Sequence, residues 1–156
     1  MAALLIGFVA VALSCAKGNK GVPTAVVVVT APPASAGGAT FAGAERAEAL
    51  LRGAGVPFKT RDDLIPPAFP EGCGWIAAYA TDNPQVILET YAFADAAGAA
   101  TYARARRTQL DALDGARGGT ATNGTLVLAA RYSLTPANAG AQEVLSKFLT
   151  AFASGK

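Results

Sequence analysis

Apolar and polar positions alternate most clearly in the middle of the chain. Gly74 to Ala80 and Gln85 to Phe93 are β-rich runs on either side of Thr81-Asp82-Asn83-Pro84, a pattern that predicts a β-hairpin. Thr125 to Tyr132, introduced by the turn pair Asn123-Gly124, predicts another strand. Helical spacing takes over elsewhere. From Ala42 to Arg52, Ala47, Leu50 and Leu51 fall on one stripe with Glu45 and Glu48 near the start, and Gly53 and Gly55 end the run. Asp95 is placed to cap a second helix running to about Asp114 and stopping at Gly115, with Tyr102, Arg106, Leu110 and Leu113 on one stripe. A third helix is expected from Thr135 as cap and Pro136 as first helical residue to about Ala153, with Ala141, Val144, Leu145, Phe148, Leu149 and Phe152 forming its apolar face.

Two segments break these rhythms. Val56 to Gly72 holds Pro57, Pro66, Pro67 and Pro70, which exclude a regular helix or interior strand and predict a long ordered loop pinned by Phe58, Leu64, Ile65 and Phe69. Upstream, Ala25 to Thr30 contains four consecutive valines between Gly- and Pro-rich stretches. That run favours a strand buried on both faces, with a stiff unpaired linker as the competing reading. With it, the first six elements match the split β-α-β, ferredoxin-like order, the Val strand being central and the last helix an addition. Without it, a three-stranded sheet has helices on one face. Either way the expected fold is α+β: a small antiparallel sheet of three or four strands packed with two or three helices, spanning residues 41–156.

The 156-residue chain carries a formal charge of +2 and no histidine. Triads built on His, His-ligated zinc and His proton shuttles are therefore excluded. A scattered slight basic excess gives no reason to expect nucleic acid. Every Lys, Arg, Asp and Glu lies after Cys15. The uncharged run from Met1 to Ala16 is short of the roughly 20 residues a membrane-spanning helix needs, and has the length of a signal-peptide apolar region.

Within that run, Val11-Ala12-Leu13-Ser14-Cys15 resembles the lipobox of bacterial lipoproteins. The resemblance covers residues 1–15 only. It implies that residues 1–14 are a cleaved signal peptide, that Cys15 becomes the lipid-modified first residue, and that residues 15–40 tether the body to a membrane facing the periplasm or the exterior. Three other fates stay open: an uncleaved anchor, ordinary cleavage after Ser14, where Ala12 and Ser14 give a small-x-small pattern, or a segment buried in a cytosolic protein. With Cys15 lipidated, Cys73 is left unpaired; with Cys15 free, a bond between the two is available.

Chemistry in the body is sparse. If helices cover Ile76, Ala78, Leu126 and Leu128, strand alternation turns Trp75, Tyr79, Glu89, Tyr91 and Arg131 to the opposite face, a candidate binding face for an envelope protein or a small amphipathic ligand. The competing reading buries that face under Phe58 and Phe69 and pairs Glu89 with Arg131. Gly72-Cys73-Gly74-Trp75-Ile76-Ala77 has the form Gly-x-Gly-x-x-Ala, but it opens a strand and not a helix, so no nucleotide site is expected. Arg104, Arg107, Asp111 and Asp114 read as a charge-laced helix face. A hydrolase using Asp62, Asp63 or Glu89 is the third reading. No cofactor and no metal is expected, and catalysis is not the favoured role; the expectation is a membrane-anchored interaction or structural module of the cell envelope, with a small-ligand binding domain as the alternative.

Overall fold

The computed structural model describes residues 42–155. The valine run at residues 25–30, the tether and Cys15 lie outside them. The elements in chain order are α1 (Ala42–Arg52), β1 (Lys59–Thr60), β2 (Cys73–Ala80), β3 (Ile87–Phe93), α2 (Ala96–Asp111), β4 (Ala116–Asn123), β5 (Leu126–Ser133) and α3 (Ala141–Ser154). The five strands form one antiparallel-paired sheet in the order β1-β2-β3-β5-β4. The fold is α+β, with more strands than the three or four expected.

The two additional strands have weak sequence signals. β1 is only two residues long and begins the proline-rich loop. β4 reads Ala-Arg-Gly-Gly-Thr-Ala-Thr-Asn, without the large β-branched or aromatic residues that announce a half-buried strand. β3 and β4 run parallel, joined by α2, with β5 slotted antiparallel between them. A split β-α-β unit is thus present, but it is not the one expected with the valine run at its centre. The described order leaves no interior vacancy, since β2, β3 and β5 are successive neighbours.

Helices cover both faces, contrary to the one-sided alternative. On one side α1 and α3 supply Ala47, Leu50, Leu51, Leu145, Phe148 and Phe152 against Leu88, Ala92, Leu126, Leu128 and Ala130. On the other, Ala99, Ala103 and Leu110 of α2 meet Ile76, Tyr91, Phe93, Val127 and Ala129. Two-sided burial explains why β5 opens with the unbroken apolar run Leu-Val-Leu-Ala-Ala.

Boundaries follow local chemistry. Asp95 caps α2 as expected, its Oδ1 accepting from the Gly98 N–H at 2.7 Å. The helix ends at Asp111, short of Asp114. Thr135 and Pro136 do not start α3; Pro136–Asn138 is a separate 3₁₀ turn, and Gly140 at φ 85° breaks the chain before Ala141. The proline-rich loop wraps the β2 edge. Phe58 sits on the α1/α3 face against Tyr79 and Phe148, with ring centroids 5.2 and 6.1 Å apart, while Ile65 and Phe69 pack on the α2 face. Leu64 is half-buried outside both cores.

At the β4 rim two glycines let helices close in from opposite sides. A Cβ on Gly118 would lie 2.7 Å from the Ala130 carbonyl oxygen and 3.2 Å from Leu110 of α2. One on Gly119 would lie 2.7 Å from Leu149 Cδ1 of α3. Backbone cannot yield as a side-chain end can, so Gly118→Ala is expected to cost about 1–3 kcal/mol and Gly119→Ala clearly less. Urea midpoints of the two variants check the order.

Candidate functional site

The five residues predicted to share a face do not. The register pairs Ile76 with Tyr91 and Tyr91 with Val127, and Ala78 with Glu89 and Glu89 with Ala129. Glu89, Tyr91 and Arg131 therefore point to α2. Tyr79 pairs with Leu88, which pairs with Ala130, so Tyr79 points the other way, to α1 and α3. Trp75 packs with that second group. The expected grouping of Ile76 and Ala78 with Leu126 and Leu128 is off by one residue, and a one-residue slip exchanges faces. Neither face is open: Tyr79, Glu89 and Tyr91 are 4%, 4% and 1% exposed.

A bulge adjusts the start of β2. Cys73 pairs with Phe93 but Trp75 with Ala92, so the two residues, which strict alternation would align, fall on opposite sides. Cys73 is buried on the α2 face and its Sγ lies 3.1 Å from the Trp75 carbonyl oxygen as donor. Burial pushes its thiol pKa up.

What the structure does assemble is a buried polar cluster centred on Glu89. Its Oε2 accepts from the Tyr91 hydroxyl at 2.7 Å and from Arg106 Nη2 at 2.6 Å. Arg131 Nε stands 3.8 Å from Oε1. The Glu89–Arg131 pair is therefore the looser contact, and Arg106 is the main partner. Tyr102, one turn before Arg106, packs at a tilt against Tyr91 and Phe93, at centroid distances of 4.8 and 5.2 Å. Burial opposes the Arg106 charge, but Glu89 reverses that and holds its pKa above the usual value. Burial, then the Glu89 charge, pushes the Tyr91 hydroxyl far up; burial also raises Tyr102. Arg106 Nε alone is buried without a partner among the described residues. The signal for Arg106 was its place on the α2 stripe with Tyr102 and Leu110: a charge on a core-facing stripe demands an opposite charge across from it.

The other acids stand apart. Asp63 is clamped by Arg61 through two contacts of 2.7 and 2.8 Å on the surface, and Arg61 holds its carboxyl below the usual range. Asp62 is exposed beside it. Arg107 and Asp111 form the expected surface pair at 2.9 Å. Among the described residues no three Cys, Asp or Glu side chains converge on a point that could hold a metal ion. Comparison with protein-family models, with curated proteins and with solved structures finds no match.

Removing one partner of a buried pair strands the other, so Arg106→Leu and Glu89→Leu should each cost about 3–5 kcal/mol, and the double variant less than their sum. Denaturant unfolding of the four proteins closes that cycle. The core as a whole should also respond to pH. Tyr79, Tyr91, Tyr102 and Cys73 all have folded pKa values raised, in each case chiefly by burial. A raised folded value means that their contribution is complete below the unfolded values, about 8.5 for Cys and 10 for Tyr, and is lost as pH rises beyond them. Stability should thus fall steeply above about pH 9, and Tyr102→Phe should flatten the fall, read from urea midpoints between about pH 7 and 11.

Proposed function

We propose that this chain is an exported envelope lipoprotein, held to the membrane through Cys15, whose α+β body acts by binding another macromolecule and not by catalysis. The observation that carries the proposal is the charge distribution: residues before Cys15 are uncharged, the run closes on Val11-Ala12-Leu13-Ser14-Cys15, and every Lys, Arg, Asp and Glu lies beyond it. Residues 15–40, rich in Gly, Pro and Ala, suit a tether. Among the described residues no helix is long and apolar enough to cross a membrane.

Support for a non-catalytic role comes from how the acids are used. Glu89 is occupied by Arg106 and Tyr91 under a helix, and Asp63 is neutralised by Arg61. Both sheet faces are filled, so contact with a partner falls to the rims and ends of the sheet. A small-ligand reading is favoured by one specific feature, an open hollow of about 370 Å³ between α1 and the chain entering β1, lined by Phe58, Glu48 and Arg52. Those two charges already pair at 2.6 Å, which leaves the hollow less to offer.

Intact mass spectrometry of the protein extracted from its native membrane tests the proposal. A diacylated chain beginning at Cys15 is expected, and Cys15→Ser should release the body from the membrane fraction. A chain retaining Met1 with Cys15 bonded to Cys73, or with Cys15 unmodified, overturns it.

A further inference from the structure

The two edges of the sheet are treated differently. On one side the edge strand is two residues long, carries the exposed Lys59, and runs into a loop with Pro66, Pro67 and Pro70, the usual devices against strand addition. On the other side β4 is eight residues long, and after Arg117 it continues Gly-Gly-Thr-Ala-Thr-Asn, with neither proline nor charge. No described strand pairs with its outer edge. The Leu134 N–H donates to the Gly115 carbonyl at 2.7 Å, which sets the phase of the ladder. Alternate residues from Gly115 turn their N–H and C=O to β5, so those of Ala116, Gly118, Thr120 and Thr122 turn outward.

This edge, unpaired among the described residues and crossed by the Arg107 side chain, lies between two grooves. On the α2 side an open groove of about 560 Å³ is lined by Ala103, Arg104, Arg107, Thr120 and Thr122. On the α3 side a second of about 530 Å³ is lined by Ala121, Leu149, Thr150 and Ala153. A strand added to β4 would send alternate side chains into one groove and then the other. The first groove is basic. Arg107 spends Nε on Asp111 and reaches over the β4 edge, its Nη1 3.4 Å from where a Gly119 Cβ would stand on the α3 side, so the guanidinium has to swing outward as a strand adds. The Arg104 guanidinium donates to the Thr101 hydroxyl at 3.3 Å and forms no ion pair among the described residues. The second groove is mainly small and aliphatic.

We propose that β4 is a strand-addition site for an extended segment of a partner protein, with acidic side chains facing Arg104 and Arg107 and small aliphatic ones between them facing Ala121, Leu149 and Ala153. This deepens the interaction reading and rests on it. A second copy paired β4 to β4 would set two pairs of arginines against each other. The valine run at residues 25–30 of the chain itself has no acid to offer them.

The test uses the full chain and two synthetic peptides, one alternating Val and Glu and the other alternating Val and Lys. The acidic peptide should bind roughly tenfold more tightly or better, lose affinity as salt rises, and protect the Thr120 and Thr122 amides from hydrogen exchange. Arg104→Glu with Arg107→Glu should reverse the peptide preference. Thr122→Pro removes an outward N–H without touching the β5 ladder and should abolish binding, whereas Thr122→Ser should keep it. Should Thr122→Pro unfold the protein, amide protection in the unaltered chain still decides. Equal binding of both peptides, no binding of the acidic one, protection elsewhere than β4, or self-association through β4 by sedimentation would each overturn the proposal. If the peptides fail while crosslinking of the anchored protein still captures a partner at another surface, the edge is wrong and the interaction reading stands; a chain that captures nothing in either experiment loses both.

Discussion

A carboxylate almost removed from water in the middle of a sheet has to be answered by a cation, and that demand organises one whole layer of this molecule. Glu89 sits on a central strand with its charge directed at α2. A helix placed so that Arg106 arrives opposite supplies the main cation, beside the looser Arg131, and the same placement brings Tyr102 over Tyr91 and Phe93. An apolar α2 stripe could slide along the sheet at modest cost; one carrying an arginine that must meet a single acid cannot. The α1/α3 layer has no buried charge pair among the described residues; it rests on the interlocking of Phe58, Tyr79, Phe148 and Phe152, with polar ties to Asn123 at its margin.

The difference between the layers bears on how much could be read from residues alone. Class, helices and the central hairpin were legible because periodicity reports burial, and Asp95 announced its helix by ordinary cap chemistry. β4 was not legible, since Gly118 and Gly119 are there for the closeness they allow to Leu110 and Leu149 and carry no strand signal. The candidate face failed for a different reason. Side chains alternate along β3 and β5 as expected, but nothing in a single chain sets the offset between strands, and one residue of offset separated Trp75 and Tyr79 from Glu89, Tyr91 and Arg131. The central acid was legible and its main partner was not, although Arg106 stands on the same stripe of α2 as Tyr102 and Leu110.

Filling both faces also changes where this body can meet anything. A one-sided sheet offers its open face; this one has spent both on its own helices. What remains is the perimeter, and the perimeter is uneven. One edge is short, charged and followed by prolines, while the other is long and nearly featureless between two shallow grooves. Sheets that need only to stay monomeric guard both edges.

One side chain gives the body a direction. Arg46 in α1 and the Phe152 carbonyl in α3 both bind the Asn123 side chain, at 2.5 and 3.0 Å. The first described helix therefore begins, and the last one finishes, at the same end of the sheet. The turn between β2 and β3 lies at the far end, tied through the Gln85 N–H to Asn138, with the exposed Leu134 nearby. β4 runs from that Asn123 end of the sheet to the end that carries the β2–β3 turn, so a chain lying along its outer edge would span the body from one end to the other.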